Sequence, residues 1–141
     1  MKLTKANLKD INELEKLELS VFDEFNFPLS KANFRYHIKN NYLIKAIENE
    51  QILGYILVLN KFKVPRIYSL AVSKDARGKG VASKLLDLVC AKFGSLRLEV
   101  RSDNAPAISL YKKLGFSVKK TLPRYYNDGG DGVLMLKISS S

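Results

Sequence analysis

The stretch from Ile67 to Leu86, IYSLAVSKDARGKGVASKLL, constrains this chain more than any other. An apolar run is followed by a polar break with two glycines, then by a second apolar run at helical spacing. That order reads as strand, turn, helix. A helix N-terminus exposes unpaired N–H groups and a partial positive charge. Gly78 and Gly80 let the backbone close on an anion without side-chain obstruction, and Arg77 and Lys79 add positive charge. The combination suits a pyrophosphate. An ordinary strand-to-helix turn is the bland alternative. A P-loop is excluded, because its glycine spacing and its Lys-Ser/Thr pair are absent. A dinucleotide fold competes: Gly78, Gly80 and a small Ser83 mimic its fingerprint, and Glu99 lies nineteen residues past Gly80 (99 − 80). Yet Ser73 to Arg77 separates strand from glycine where that fold needs a tight turn, and the third glycine is missing.

The rest of the chain has too few alternating βαβ units for a doubly wound sheet. Residues 2–6 can form a short strand. From Leu8 to Ser20, the apolar positions Leu8, Ile11, Leu14, Leu17 and Val21 mark a helical face. Ser30 caps a second helix reaching about Lys39. Strands follow over 42–48 and 52–60, with Asn49-Glu50 at the turn, and Pro65 opens a strand from Arg66 to Val72. The helix after the glycines runs to Phe93. Leu86, Cys90 and Phe93 share one face, with Val81, Leu85 and Leu88 beside them, and Gly94 is the C-cap. Ser95 to Arg101 alternates as a strand. Asn104 or Asp103 caps a last helix, with Pro106 in its first turn and Gly115 at its end. Strands at about 115–120 and 131–138 flank a loop rich in Arg, Tyr, Asn, Asp and Gly. The reading is one mixed α/β domain over 1–138, in the order βααβββαβαββ, with a disordered or appended tail at 139–141.

The chain's 141 residues are enough for one domain with a core, and 46% of them are apolar, which excludes disorder. No apolar run reaches the length of a membrane span, and the N-terminus does not read as a secretory signal. One cysteine excludes an intramolecular disulfide framework, so the cytoplasm is the expected compartment. The formal charge of +10 is scattered over Lys61, Lys63 and Arg66, then Lys74, Arg77 and Lys79, then Lys112, Lys113, Lys119 and Lys120. Such a surface serves solubility or attracts a polyanion, and charge alone does not choose. Cys90 reads as core. His37, the only histidine, reads as a surface residue of the second helix, with no clustered partner that would make it a metal ligand.

The second informative stretch is LEVRSDNAPAISLYKKLGF, from Leu98 to Phe116. Glu99 projects from the strand face opposite Leu98 and Val100. Tyr111 follows on the next helix, twelve residues later (111 − 99). A strand and the helix returning beside it can aim both side chains into one cleft. The structural alternatives are a strand carboxylate paired with Arg97 or Arg101, and a core-edge tyrosine.

Together the two stretches resemble the GNAT superfamily of N-acetyltransferases. Arg77-Gly78-Lys79-Gly80-Val81-Ala82 is similar to its acetyl-coenzyme A signature, R/Q-x-x-G-x-G/A. Leu98-Glu99-Val100-Arg101, Asn104, Ala107 and Leu110-Tyr111-x-x-Leu114-Gly115-Phe116 resemble the RimI branch, as do Phe27-Pro28-x-Ser30 and Arg124-Tyr125-Tyr126 with Asp131-Gly132. That branch acetylates the N-terminal alanine of a small-subunit ribosomal protein. Leu29 stands where the branch commonly has tryptophan, and the loop between Tyr126 and Val133 is short. Both departures fall where the family binds its peptide.

The resemblance implies a central, mostly antiparallel sheet flanked by helices, with acetyl-coenzyme A as donor and no metal. The implied acceptor is a protein N-terminus, with a ribosomal protein the branch's own case; neither nucleic acid nor membrane is expected as a partner. Glu99 would take the amine proton, and Tyr111 would protonate or hydrogen-bond the departing sulfur. Backbone N–H groups of Leu70, Ala71 and Val72 would hold the thioester carbonyl. Arg77, Gly78, Lys79, Gly80, Val81, Ala82 and Ser83 would wrap the pyrophosphate, and Asn104 would touch the cofactor arm. Phe27, Tyr125 and Tyr126 would line the peptide groove. A small-amine acetyltransferase and a non-catalytic basic binding module on the same scaffold are the competing functions.

Overall fold

The computed structural model describes residues 1–22 and 28–138. Eleven regular elements follow the expected order: β1 (Lys2–Lys5), α1 (Ile11–Val21), α2 (Lys31–Asn40), β2 (Tyr42–Glu48), β3 (Gln51–Leu59), β4 (Arg66–Val72), α3 (Val81–Phe93), β5 (Leu96–Arg101), α4 (Ala105–Lys113), β6 (Ser117–Leu122) and β7 (Gly132–Lys137). The strands form one sheet in the order β1-β2-β3-β4-β5-β7-β6. Every neighbouring pair is antiparallel except β4–β5. That pair is parallel because α3 carries the chain back across the sheet between the two strands.

Each face of the sheet has its own core. Ile56, Val58, Ile67, Leu96, Leu98 and Met135 pack with Val81, Leu85, Leu86 and Val89 of α3, and α4 leans on the same cluster through Ala107, Ile108, Leu110, Tyr111 and Leu114. On the other face Leu43, Ile52, Tyr55, Leu57 and Ala71 pack with Ile11, Leu14 and Leu17 of α1 and Phe34 of α2. Phe34 and Tyr55 meet edge to face at 5.5 Å. Truncating a fully buried ring such as Phe34 to alanine costs about 3–5 kcal/mol in other cores.

Several boundaries differ from the sequence reading for local reasons. Residues Leu8–Asp10 are a 3-10 turn, because Asn7 and Asp10 form a capping box: Lys9 N donates to Asn7 Oδ1 at 2.9 Å and Asn7 N to Asp10 Oδ2 at 2.8 Å. Leu8 is therefore exposed, not part of the buried face. Asp10 also meets Lys45 at 2.8 Å, which pairs a buried lysine. The α3 face buries Val89 rather than Leu88, Cys90 and Phe93, which are partly buried. Of the two cap candidates, Asn104 caps α4. The last helix ends with Phe116 N donating to Tyr111 O and Gly115 N to Lys112 O, so β6 starts at Ser117. His37 is half-buried, not a surface residue. Its ring nitrogen meets Asn41 Nδ2 at 3.1 Å, its ring lies 6.1 Å from Tyr68, and burial lowers its pKa. The expected tail, 139–141, lies outside the described residues.

Candidate active site

The site begins where the parallel pair ends. β4 and β5 match only at Arg66↔Arg97 and Ile67↔Leu98. On the other edge of β4, the register against β3 shifts between Ile67 and Ser69, leaving Tyr68 as an extra residue. A bulge bends its strand and sharpens the twist. Past that point β4 and β5 make no further pairs, and a cleft of about 340 Å³ opens. Residues 66–70 form one wall and 99–101 the other. Glu18 and Leu29 approach from the α1/α2 side, Asn104 and Tyr111 from α4, and Tyr125 and Tyr126 from the loop before β7.

Glu99 and Tyr111 reach this one cleft, as their spacing suggested. Glu99 is on the strand face opposite the buried Leu98 and Val100, so it shares a side with α1 and α2. Its Oε2 accepts from Arg66 Nε at 2.7 Å, and its Oε1 from Arg97 Nη1 at 3.5 Å. Each oxygen keeps a lone pair that a water or an amine could approach. Tyr111 packs edge to face on Phe116 at 5.8 Å. Its hydroxyl has no hydrogen-bond partner among the described residues. Burial raises its pKa, which makes the phenol a reluctant acid but leaves it a good hydrogen-bond donor. Asn104 Oδ1 accepts from Ala107 N at 3.3 Å as the cap of α4, which leaves its amide N–H groups free to donate toward the cleft.

The phosphate turn lies beside the cleft rather than in its lining. Of residues 70–83, only Leu70 borders the cavity. Ala71 and Val72 continue β4 opposite Tyr55 and Gly54. A Cβ on Gly54 would come within 2.7 Å of Ala71 O and 3.1 Å of Val81 Cγ1, so the missing side chain lets the start of α3 sit against the sheet. Gly80 is the N-cap of this 13-residue helix at φ 76°, with no side chain capping the first turn. Gly78 has φ 87°, and a Cβ built on either glycine meets nothing within 4 Å. The positive φ angles select glycine. Open space before uncapped N–H groups, flanked by exposed Arg77 and Lys79, suits an anion such as a pyrophosphate.

The side of the cleft next to the loop before β7 is built from aromatic rings and guanidinium groups. Tyr125 and Tyr126 cross at 89° with centroids 5.0 Å apart. Arg66 Nη2 donates to Tyr125 Oη at 3.3 Å, and Arg101 stacks on Tyr126 at 4.4 Å while pairing with Asp128 at 3.0 Å. Desolvation first, then the Tyr125 hydroxyl, pushes the Tyr126 phenol up to about 12. Phe27, the third expected groove residue, lies outside the described residues.

Four residues of this side were missed in the sequence: Arg66, Glu18, Tyr55 and Ser69. Glu18 is 3% exposed, with Leu29 N donating to its Oε2 at 2.7 Å and the Tyr55 hydroxyl to its Oε1. Burial, its largest influence, raises its pKa against those two hydrogen bonds. The signal was present: Glu18 falls four residues after Leu14 and seven after Ile11, so it interrupts an apolar stripe with a carboxylate.

A sheet whose single parallel pair parts around a cleft, with a bare helix N-terminus on one side and a carboxylate on the other, defines an enzyme that joins two substrates for group transfer. The chain belongs to the acetyltransferase (GNAT) family, whose profile matches residues 8–116. It is 32% identical over 143 residues to an uncharacterized N-acetyltransferase of Methanocaldococcus jannaschii, covering 97% of this chain and 91% of that one. It is also 32% identical over 155 residues to an N-alpha-acetyltransferase of Saccharolobus solfataricus, covering 96% and 91%. In fold it is similar to the crystal structure of the ribosomal-protein-S18-alanine N-acetyltransferase from Escherichia coli, at TM-score 0.88 and 23% identity over 99% of this chain and 95% of that chain.

Proposed function

We propose that this enzyme moves the acetyl group of acetyl-coenzyme A to the α-amine of a protein N-terminus, in the cytoplasm, by direct attack of the amine on the thioester. A ribosomal protein is the acceptor that the resemblance to RimI enzymes favours. The observation that carries the reading is the parting of β4 and β5, which makes one cleft reachable from both faces of the sheet. From the α3/α4 face the donor meets Asn104, Tyr111 and the phosphate turn. From the α1/α2 face an extended acceptor meets Glu99 and the Tyr125–Tyr126 wall.

Acetyl-coenzyme A supplies the activated carbonyl. Arg77, Gly78, Lys79, Gly80, Val81, Ala82 and Ser83 hold its pyrophosphate, and Asn104 its arm. Backbone N–H groups of Leu70 and Val72 face the carbonyl oxygen as charge develops there, whereas the Ala71 N–H lies on the opposite edge of β4, toward Tyr55 of β3. Glu99 receives the amine proton, directly or through one water. The Tyr111 hydroxyl donates a hydrogen bond to the departing sulfur. Its raised pKa favours that role over full proton transfer. Tyr125 and Tyr126 form the groove for the acceptor's first residues.

An α-amine, with a pKa of about 8, is more often neutral near pH 7 than a lysine at about 10.4. Matched peptides test the reading by thiol release. Free N-termini should turn over, and the same peptides with a blocked N-terminus and an internal lysine should not. Equal turnover of the two sets would overturn it.

A further inference from the structure

The buried carboxylate of Glu18 does not stand alone. The Tyr55 hydroxyl, on β3, donates to Glu18 Oε1 and lies 2.8 Å from Ser69 Oγ, on β4. A phenol has one proton. Once Tyr55 gives it to Glu18, the Ser69–Tyr55 bond can form only if Ser69 donates. Ser69 has then spent its own proton as well, and its oxygen is left with acceptor lone pairs. Ser69 borders the cleft on the wall opposite Glu99. Glu18 can accept from Tyr55 because it is a carboxylate, taking the Leu29 N–H on its other oxygen.

We propose that the chain Glu18–Tyr55–Ser69 turns Ser69 Oγ into a hydrogen-bond acceptor for an N–H of the incoming amine, and so selects and orients that amine. The inference rests on the acetyltransfer reading above and adds an amine-recognition site to it. No bond to hydrogen breaks in this role, and Glu99 keeps the proton transfer. Ser69 is the group that touches the acceptor, while Tyr55 and Glu18 act through it as positioning residues.

The chain has a defined polarity, and protonating Glu18 reverses it. A neutral Glu18 still accepts from Leu29 on one oxygen and presents a donor to Tyr55 on the other. Tyr55 then donates to Ser69, and the Ser69 proton turns into the cleft, where it opposes an amine N–H. Among the described residues, the titratable and charged groups around the chain are Tyr68 and Arg66 on β4, Glu99 on β5 held by Arg66, and, on α1 itself, Glu15 with Lys31 of α2 at 3.8 Å. A Glu18→Gln change imitates the reversed state at any pH, because its amide nitrogen donates to Tyr55.

The decisive comparison uses an N-terminal peptide and its des-amino analogue, identical but lacking the α-amino group. Binding of each to the enzyme saturated with coenzyme A is measured by calorimetry near pH 7. Wild type should favour the amine peptide by roughly tenfold, the size of one well-made hydrogen bond to a charged or polarised group. In Ser69→Ala, Tyr55→Phe and Glu18→Gln that preference should collapse toward unity, with coenzyme A affinity unchanged. Tyr55→Phe keeps the ring against Phe34 and the Glu18–Leu29 contact, so it separates the chain's polarity from its packing. In turnover assays these variants should raise KM for the acceptor more than they lower kcat. A wild type that binds both peptides alike, or binds neither, overturns the inference. So does a Tyr55→Phe variant that keeps the full preference. Amine-selective binding without thiol release would instead defeat the acetyltransfer reading and leave the recognition site standing.

Discussion

The two sides of the cleft are made in different ways. The donor side is nearly bare: two glycines at positive φ, uncapped N–H groups, and a tyrosine hydroxyl with no partner among the described residues. The acceptor side is crowded and fully engaged. Glu99 is held by two arginines, Arg66 reaches on to Tyr125, Arg101 lies between Tyr126 and Asp128, and Glu18 closes a chain through Tyr55 to Ser69. In the proposed function, one side would offer backbone and space to a polyanion that is always the same, and the other would hold side chains in place to recognise a small, variable group. A vacant donor site costs little, because its open groups face water. A vacant acceptor site would be costly if its buried charges were not already paired.

This contrast can be broken from either side. The largest effect should come from Gly80→Glu, which puts a bulky anion into the space before α3 at φ 76°. Acetyl-coenzyme A affinity by calorimetry should fall by roughly 10²-fold, about 2.7 kcal/mol, while acceptor recognition survives. Unchanged affinity would remove the phosphate turn from the donor site. Next is Glu99→Gln, which keeps the shape but cannot accept a proton. The loss in kcat should be roughly 10²-fold near pH 7, and it should shrink as pH rises and the amine loses its proton unaided. A loss that is constant across pH would make Glu99 a positioning group for Arg66 and Arg97.

Tyr111→Phe sharpens the comparison, because it removes a hydroxyl that no described side chain engages. We expect roughly a tenfold lower kcat, with unchanged fold and unchanged acetyl-coenzyme A affinity, as befits a bond that strengthens in the transition state. The smallest effect is on stability. The folded-state pKa of Glu18 is raised above its unfolded value, so the native state holds the extra proton. That contribution is fully present below about pH 4.5 and is lost as pH rises through the folded value. The melting temperature of wild type relative to Glu18→Gln should therefore fall as pH rises above about 4.5. A difference that does not change with pH would contradict the raised pKa of this buried carboxylate.

The turn before α3 was legible in the sequence for a physical reason. Strand, glycines and helix start are contiguous, so residues 67–86 carry the whole local signal, and the Glu99–Tyr111 pair is only one strand and one helix wide. The acceptor side draws on residues 18, 55, 66, 69, 99 and 125. No spacing rule links them, and only the sheet order brings them together. Arg66 read as one of many scattered cations, and Ser69 as an unremarked small residue in an apolar strand. Element order was legible throughout from periodicity. What failed were ends and faces set by single hydrogen bonds: the Asn7–Asp10 box before α1, the Phe116–Tyr111 bond that delays β6, and the contacts that draw His37 inward.

The early parting of β4 from β5 gives the sheet something that most sheets confine to their outer rims, a pair of strand edges in the middle of the molecule. Amides there are exposed to solvent until a guest fills the gap, and an extended chain with its own peptide groups is the guest whose geometry matches. Deuterium uptake at the amides of residues 69–72 and 99–101 that point into the gap should therefore slow when both substrates are bound, while uptake across the β2–β3 ladder hardly changes. The catalyst would complete its own sheet only while it is at work, borrowing the missing rungs from the molecules it joins.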